Sequence, residues 1–357
     1  MNAPEPNDIV LKTKSYVPGK PLDIYLKERG LSECIKLDAN ENPFGFSVLV
    51  ERALAKKPFH RYPDGGCIEL RNKLSSLLGI SHENILISPG SNHLVELVIR
   101  TYLKPGGNTI TAEKTFSLYR LFTTRNTGEI IETPLKNGFF DLETIVNSIN
   151  EKTNIIFICN PNNPTGTLLP FEELENFIRR VDSKIVIVVD EAYIEYAEEA
   201  AKVDDIVRDY PNLLVVRTFS KIYGLAGFRI GYAIGNAKLI EEVGRLIIPF
   251  SVSAPALIAA SAALDGTDFV EETYKNNFIE KRKLQDFFTR QGYFFYESQS
   301  NFIFVKLPFP DAGKKLEDKA ILIRNLESFG FDKDTYRISI GNSNENNALI
   351  NVLKSFK

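Results

Sequence analysis

The twelve residues Thr218-Phe-Ser-Lys-Ile-Tyr-Gly-Leu-Ala-Gly-Phe-Arg229 hold the densest chemistry in the chain. Ser220 and Lys221 follow the apolar run Leu213 to Val216, which reads as a buried strand. Such a strand delivers both residues to its carboxyl end, where open α/β sheets place their ligands. Arg229 comes eight residues after the lysine, with Gly224 and Gly227 loosening the chain between them. A lysine held near an arginine and a hydroxyl suits a phosphorylated aldehyde cofactor. The amine forms a Schiff base, and the arginine and serine hold the phosphate. A lone Ser-Lys pair, however, fits a solvated surface lysine as well.

Two further segments share this layout. Ile185-Val-Ile-Val-Val-Asp-Glu-Ala-Tyr193 is a β-branched run that ends abruptly in Asp190 and Glu191. The run suits a parallel strand buried on both faces. A buried carboxylate is costly without a cation. A protonated pyridine nitrogen would be that cation, and the pairing would let the ring accept electrons from a substrate carbon. Tyr193 would then reach the ring hydroxyl. Asp190 equally fits a cap on a following helix. The third segment, Asn154 to Cys159, is another apolar strand running into Asn160-Pro-Asn-Asn-Pro-Thr-Gly166. Prolines, glycine and asparagines make this a rigid turn. An asparagine amide there can donate to a phenolic oxygen.

In this order, Asn163-Pro-Thr-Gly166, Asp190-x-x-Tyr193, Ser220-Lys221 and Arg229 resemble the signature of the fold-type-I pyridoxal-phosphate aminotransferases. Tyr16-Val-Pro-Gly19, Leu37-Asp-Ala-Asn-Glu-Asn-Pro43, Arg61-Tyr-Pro-Asp64 and Tyr336-Arg-Ile-Ser-Ile-Gly341 are similar to segments of the histidinol-phosphate aminotransferase family. The match runs from about residue 15 to the end. The resemblance implies pyridoxal phosphate as cofactor and Lys221, Asp190 and Tyr193 as the catalytic residues. It implies that the cofactor is bound by Gly90, Ser91 and Asn92, Phe116, Asn163, Ser220 and Arg229. It implies Tyr62 reaching the cofactor phosphate of a neighbouring subunit, hence a homodimer with shared sites. Arg337 would fork onto an α-carboxylate, with Tyr16 and Asn40 as substrate contacts. No metal is implied. The implied reaction passes the amino group of L-histidinol phosphate to 2-oxoglutarate.

The chain departs from the family's habits at three places. Phe116 stands where tyrosine is frequent, which keeps a stacking face and removes a hydroxyl. Asn92-His93 replaces a frequent Asp-Glu, and Gly341-Asn-Ser-Asn replaces a Gly-Thr. The last change adjoins the substrate side and leaves substrate identity more open; because members of the resembling family overlap in substrates, an aromatic amino-acid aminotransferase is the alternative. Threonine-phosphate decarboxylase is a further relative, disfavoured by Asp38-Ala-Asn-Glu-Asn-Pro43.

The elements that must position these residues read as α/β. Helical spacing covers 48–57, 67–78 and 93–103, with a short strand at Ile85 to Ser88. That strand, the turn Pro89-Gly90-Ser91-Asn92 and the following helix make a phosphate-binding arrangement. Strand-like and helix-like segments alternate to about residue 250, indicating a mostly parallel central sheet flanked by helices. Helices at 255–265 and 268–291 and strands near 302–305, 321–323 and 336–340 then suggest a smaller α+β domain. The expected division is 1–44 as an arm and a segment joining the small domain, 45–250 as the large cofactor-binding domain, and 251–357 as the small domain.

Composition narrows the class further. The 357 residues suffice for two domains, and a net charge of −3 leaves no footprint for nucleic acid or an anionic membrane. No run of eighteen apolar residues is present. The first dozen residues are polar, without a signal-peptide core, and read as a loose arm. Cys34, Cys67 and Cys159 are scattered, which fits a reducing cytoplasm. His60, His82 and His93 do not cluster as ligands. His60 lies close to Tyr62, but the lysine already supplies a base. A non-catalytic regulator built on this fold would need a DNA-binding domain ahead of residue 15, and too few residues precede it.

Overall fold

The computed structural model describes residues 5–12, 22–198 and 206–356. Its centre is a seven-stranded sheet. In chain order the strands are β2 (Ile85–Ser88), β3 (Asn108–Ala112), β4 (Glu129–Thr133), β7 (Thr153–Cys159), β8 (Val186–Asp190), β9 (Leu213–Thr218) and β10 (Gly231–Gly235). In space they run β2-β10-β9-β8-β7-β3-β4. Five neighbours, β9 through β4, are parallel, and β10 is antiparallel to both β9 and β2. Every residue of β7 and β8 is buried. This explains their unbroken aliphatic composition, since helices cover both faces of such a sheet.

The covering helices show the matching periodicity. Leu174, Phe177 and Ile178 form the buried stripe of the Phe171–Arg180 helix, at i, i+3 and i+4. Side-chain caps fix where several helices start. Asp141 accepts from the Thr144 amide ahead of Leu142–Ser148, and Ser253 accepts from Ala256 ahead of Ala254–Asp265. Asn342 and Glu345 form a reciprocal capping box ahead of Ser343–Ser355. The Gly341-Asn-Ser-Asn departure is thus a helix start.

A second, four-stranded sheet has the order β1-β12-β13-β11. It combines β1 (Ile35–Leu37) with β11 (Phe302–Lys306), β12 (Ile321–Asn325) and β13 (Thr335–Ser339). Strand β1 pairs in parallel with β12, so a segment from early in the chain is woven into late sequence. This sheet has its own core, including Leu37, Leu284, Phe288, Ile303, Val305, Ile338 and Leu349. The long helix Thr267–Gln291 contributes Leu284 and Phe288 to it.

Three local expectations change. The polar start contains a short helix, Asp8–Lys12, where a loose arm was expected. The hairpin β5 (Leu135–Lys136) and β6 (Phe139–Phe140) has no counterpart in the periodicity reading, being too short to carry one. Gly224 does not loosen the chain: it has φ +71°, and a Cβ there would lie 1.7 Å from the Gly45 carbonyl. It is a point of close backbone approach, and only glycine fits it.

Candidate active site

The candidate residues gather at the carboxyl ends of β2, β7, β8 and β9 and at the facing edge of the second sheet. Asp190 is the last residue of β8 and is 4% exposed. Its two oxygens accept from the Tyr119 hydroxyl at 2.7 Å and the Ala192 amide at 3.2 Å. Burial pushes its carboxyl up to about 6, although those two hydrogen bonds and the nearby Lys221 pull it down. The adjacent Glu191 has the opposite arrangement. It is fully buried, and Arg217 donates to it from Nε at 2.9 Å and Nη2 at 2.8 Å. Of two consecutive buried carboxylates, one is neutralised by an arginine; the other meets a phenol and an amide. Asp190 therefore has the donor set of a group built to receive a cation. A pyridinium nitrogen fits that requirement.

Lys221 follows β9 and lies deep in the site. Its Nζ donates to the carbonyls of Ala39 at 3.4 Å and Asn40 at 3.3 Å, and lies 5.5 Å from the centre of the Tyr193 ring. Burial, then Arg337, push its amine down to about 7, with smaller contributions from Arg229 and Lys36 and an opposing one from Glu41. A lysine amine pushed down in this way gives up its proton more readily and can act as nucleophile and base.

The phosphate side is a glycine cradle. Gly90 has φ +94°, and a Cβ there would sit 2.7 Å from Arg229 Nη2. A Cβ on Gly231 would meet the Ser91 amide nitrogen at 2.8 Å. Ser91 and Asn92 open the twelve-residue helix Ser91–Tyr102, whose first amides and positive dipole end attract an anion. Arg229 donates to Ser220 Oγ at 3.4 Å and is itself in the left-handed region, φ +55°. Two glycines pared back around an arginine, a serine and a helix start are the right shape and charge for a phosphate. His93 turns away from this role: its Nδ1 is paired with Ser88 Oγ at 2.8 Å, and burial lowers its pKa.

The other end is a polar network joining both sheets. Arg337, on β13, donates to Asn163 Oδ1 at 2.7 Å and to the Asp38 carbonyl at 2.8 Å. Asn163 Nδ2 and Asn40 Nδ2 both reach the Tyr193 hydroxyl, at 3.5 and 3.0 Å. Burial raises Tyr193 to about 12, although Arg337 and Asn40 oppose the rise. Phe116 packs edge-on to Tyr119 at 5.6 Å, three residues before it.

The structure thus brings together Asn40, Asn163, Tyr193, Lys221 and Arg337, and separately Gly90, Ser91, Ser220 and Arg229. Tyr62 does not join either group. It is 85% exposed, and its ring packs 5.0 Å from Phe250. Tyr16 lies outside the described residues. Tyr119, Ser339, Asn301 and Arg217 are residues that sequence reasoning missed. Two of them carried a signal. Tyr119 follows Phe116 at helical spacing, and Ser339 follows Arg337 at strand spacing, on the same face. Nothing local marks Asn301 or Arg217.

The chain is similar to known proteins over nearly its whole length. The sequence model of the family described as aminotransferase class I and II matches residues 32–353. Histidinol-phosphate aminotransferase 1 of Bacillus cereus is 40% identical over 351 residues, covering 97% of this chain and 95% of that protein. The histidinol-phosphate aminotransferase of Brevibacillus brevis is 38% identical over 356 residues, 98% of each chain. The crystal structure of histidinol-phosphate aminotransferase from Sinorhizobium meliloti in complex with pyridoxal-5′-phosphate superposes with a TM-score of 0.87 at 25% identity. It covers 98% of this chain and 97% of that one.

Proposed function

The chain belongs to the class I and II aminotransferases and, within them, to the histidinol-phosphate aminotransferase family, and we propose that it passes the amino group of L-histidinol phosphate to 2-oxoglutarate. The products are imidazole acetol phosphate and L-glutamate. Pyridoxal phosphate is the cofactor. When bound, it supplies an aldehyde that condenses with amines and a ring that draws electrons from the amine-bearing carbon.

The chain's own residues bind, orient and move protons around that chemistry. The Lys221 amine would hold the aldehyde carbon and, when free, would serve as the base that takes a proton from the amine-bearing substrate carbon. Asp190 keeps a pyridine nitrogen protonated, and a cation brought against its carboxylate offsets the cost of burying it. Gly90, Ser91 and Asn92 offer helix-start amides to the phosphate, with Ser220 and Arg229 beside them. Asn163 and Tyr193 present an amide and a hydroxyl to the ring oxygen, and Phe116 offers a ring face for stacking. Arg337 meets the α-carboxylate of glutamate or 2-oxoglutarate. Histidinol phosphate has no such group, so Arg337 serves the second half-reaction and is available to the phosphate in the first.

A homodimer completes this reading. Tyr62, Phe250, Ile248 and Ile68 are all exposed large side chains. Tyr62 contributes nothing to its own site, and a two-fold partner would receive it at the cofactor phosphate. Among the described residues, no helix is long and apolar enough to cross a membrane. Three free cysteines and a biosynthetic reaction support a cytoplasmic location.

The observation that carries the proposal is the contrast between Glu191, neutralised by Arg217, and Asp190, left for a cation beside a lysine whose amine is pushed to about 7. Steady-state kcat/KM for L-histidinol phosphate, tyrosine and phenylalanine tests the substrate. The phosphorylated amine should be preferred. Preference for the aromatic amino acids would move the chain to the aromatic aminotransferases.

A further inference from the structure

Asn40 was expected to touch substrate, yet its polar atoms are turned inward. It is 1% exposed. Its amide nitrogen donates to Ser339 Oγ at 2.8 Å, and Ser339 donates back to Asn40 Oδ1 at 3.1 Å. Its Nδ2 donates to the Tyr193 hydroxyl at 3.0 Å. Its carbonyl accepts from Asn301 Nδ2 at 3.1 Å and from Lys221 Nζ at 3.3 Å, and the Ala39 carbonyl accepts from the same Nζ at 3.4 Å.

The backbone explains how two consecutive carbonyls reach one amine. In an extended chain successive carbonyls point to opposite sides; helical dihedrals turn them the same way. Asn40 has φ +55°, in the left-handed helical region. Among residues with a side chain, asparagine is one of the few that visit this region routinely. The residue type, the dihedral and the paired carbonyls are one arrangement.

We infer that Asn40 is a positioning residue and not a substrate contact: its left-handed backbone makes a two-carbonyl seat for the free amine of Lys221, and its side chain holds the Tyr193 hydroxyl beside that seat. This rests on the reading of Lys221 as the cofactor-binding amine. The seat acts when the amine is released, giving it one place and one orientation between proton pick-up and delivery. Because Asn40 is pinned by Ser339 of β13 and by Asn301, next to β11, the second sheet sets the seat, and its position relative to the first sheet sets how well Lys221 is held.

The charged and titratable groups facing Lys221 are Arg337, Arg229 and Lys36, which lower its pKa, Glu41, which raises it, and Tyr193 and Asp190. Carbonyl acceptors favour the ammonium form, so losing the seat lowers the pKa further.

The test measures how fast pyridoxal phosphate condenses with cofactor-free protein, by its visible absorbance, across pH. In the native protein the rate rises through about pH 7, the point to which the Lys221 amine is pushed. Asn40→Gly keeps the left-handed backbone at no steric cost and loses only the side chain, so its midpoint should match the native one. Asn40→Ala disfavours that backbone and Asn40→Val disfavours it strongly. Their midpoints should fall, by up to about one pH unit for valine. With histidinol phosphate, Asn40→Ala should lose kcat and leave KM nearly unchanged. Equal midpoints in the alanine and native proteins, or a glycine variant shifted as far as alanine, would overturn the inference. A raised KM with native kcat would return Asn40 to substrate binding. If valine fails to fold, the alanine and glycine pair decides alone. Failure of the native protein to develop any band would instead contradict the reading of Lys221.

Discussion

The two ends of the site are assembled in different ways. The phosphate end comes from one sheet: Gly90 and Ser91 follow β2, Ser220 follows β9, and Arg229 leads into β10, and these strands are neighbours in the order β2-β10-β9. The substrate end comes from two sheets. Asn163 follows β7 and Tyr193 follows β8, but Arg337 and Ser339 belong to β13 of the other sheet, and Asn40 follows β1. Asn40 and Ser339 are bonded across 299 positions of sequence. The first end cannot change shape without disrupting a packed core; the second changes whenever one sheet shifts against the other. An enzyme that must hold one cofactor but admit two substrates in turn gains from that division.

Substitutions can break or sharpen the contrast. The largest effect belongs to Lys221, where the two ends meet. Lys221→Ala should abolish turnover and the visible band of bound cofactor, which absorbance shows directly; an active variant would refute the assignment. Asp190→Asn comes next, keeping cofactor but losing roughly 10²–10⁴-fold in kcat, the range of a lost proton-control group. The two arginines then separate the ends. Arg229→Ala should weaken pyridoxal phosphate binding by roughly 10²-fold in a fluorescence titration, whichever substrate follows. Arg337→Ala should raise KM for glutamate and 2-oxoglutarate by a similar factor and leave cofactor affinity unchanged. If both variants lost cofactor equally, the ends would not be independent. Phe116→Tyr is the smallest change, expected within about threefold of native kcat, since stacking needs the ring face and not a hydroxyl.

The same contrast explains what could be read in advance. Strand-end residues such as Asp190 and Lys221 announce themselves because a polar residue abruptly ends an apolar run. The Gly90 turn is legible for the same local reason. The pairing of Glu191 with Arg217 was not legible, because it joins the residue just after β8 to one in β9, 26 positions apart. The tyrosine under Asp190 was within reach, since Tyr119 comes three residues after Phe116, in the first turn of the helix Leu118–Arg125. Gly224 was misread as a source of freedom, because sequence shows a missing side chain but not the Gly45 carbonyl that occupies its place. Asn40 was read as a substrate contact, and the structure turns its polar atoms onto Ser339 and Tyr193. The positioning role inferred for it depends on a dihedral angle and on Ser339 and Asn301, none of which local spacing encodes.

The central claim is that the cofactor held by Lys221 takes its amino group from L-histidinol phosphate. A single-turnover absorbance experiment tests it most directly, with the pyridoxal-phosphate-loaded protein mixed with L-histidinol phosphate and no amino acceptor. The account predicts rapid loss of the visible band and gain of the pyridoxamine phosphate absorbance, reversed by 2-oxoglutarate. A band that persists with L-histidinol phosphate but is lost with tyrosine or phenylalanine would contradict it.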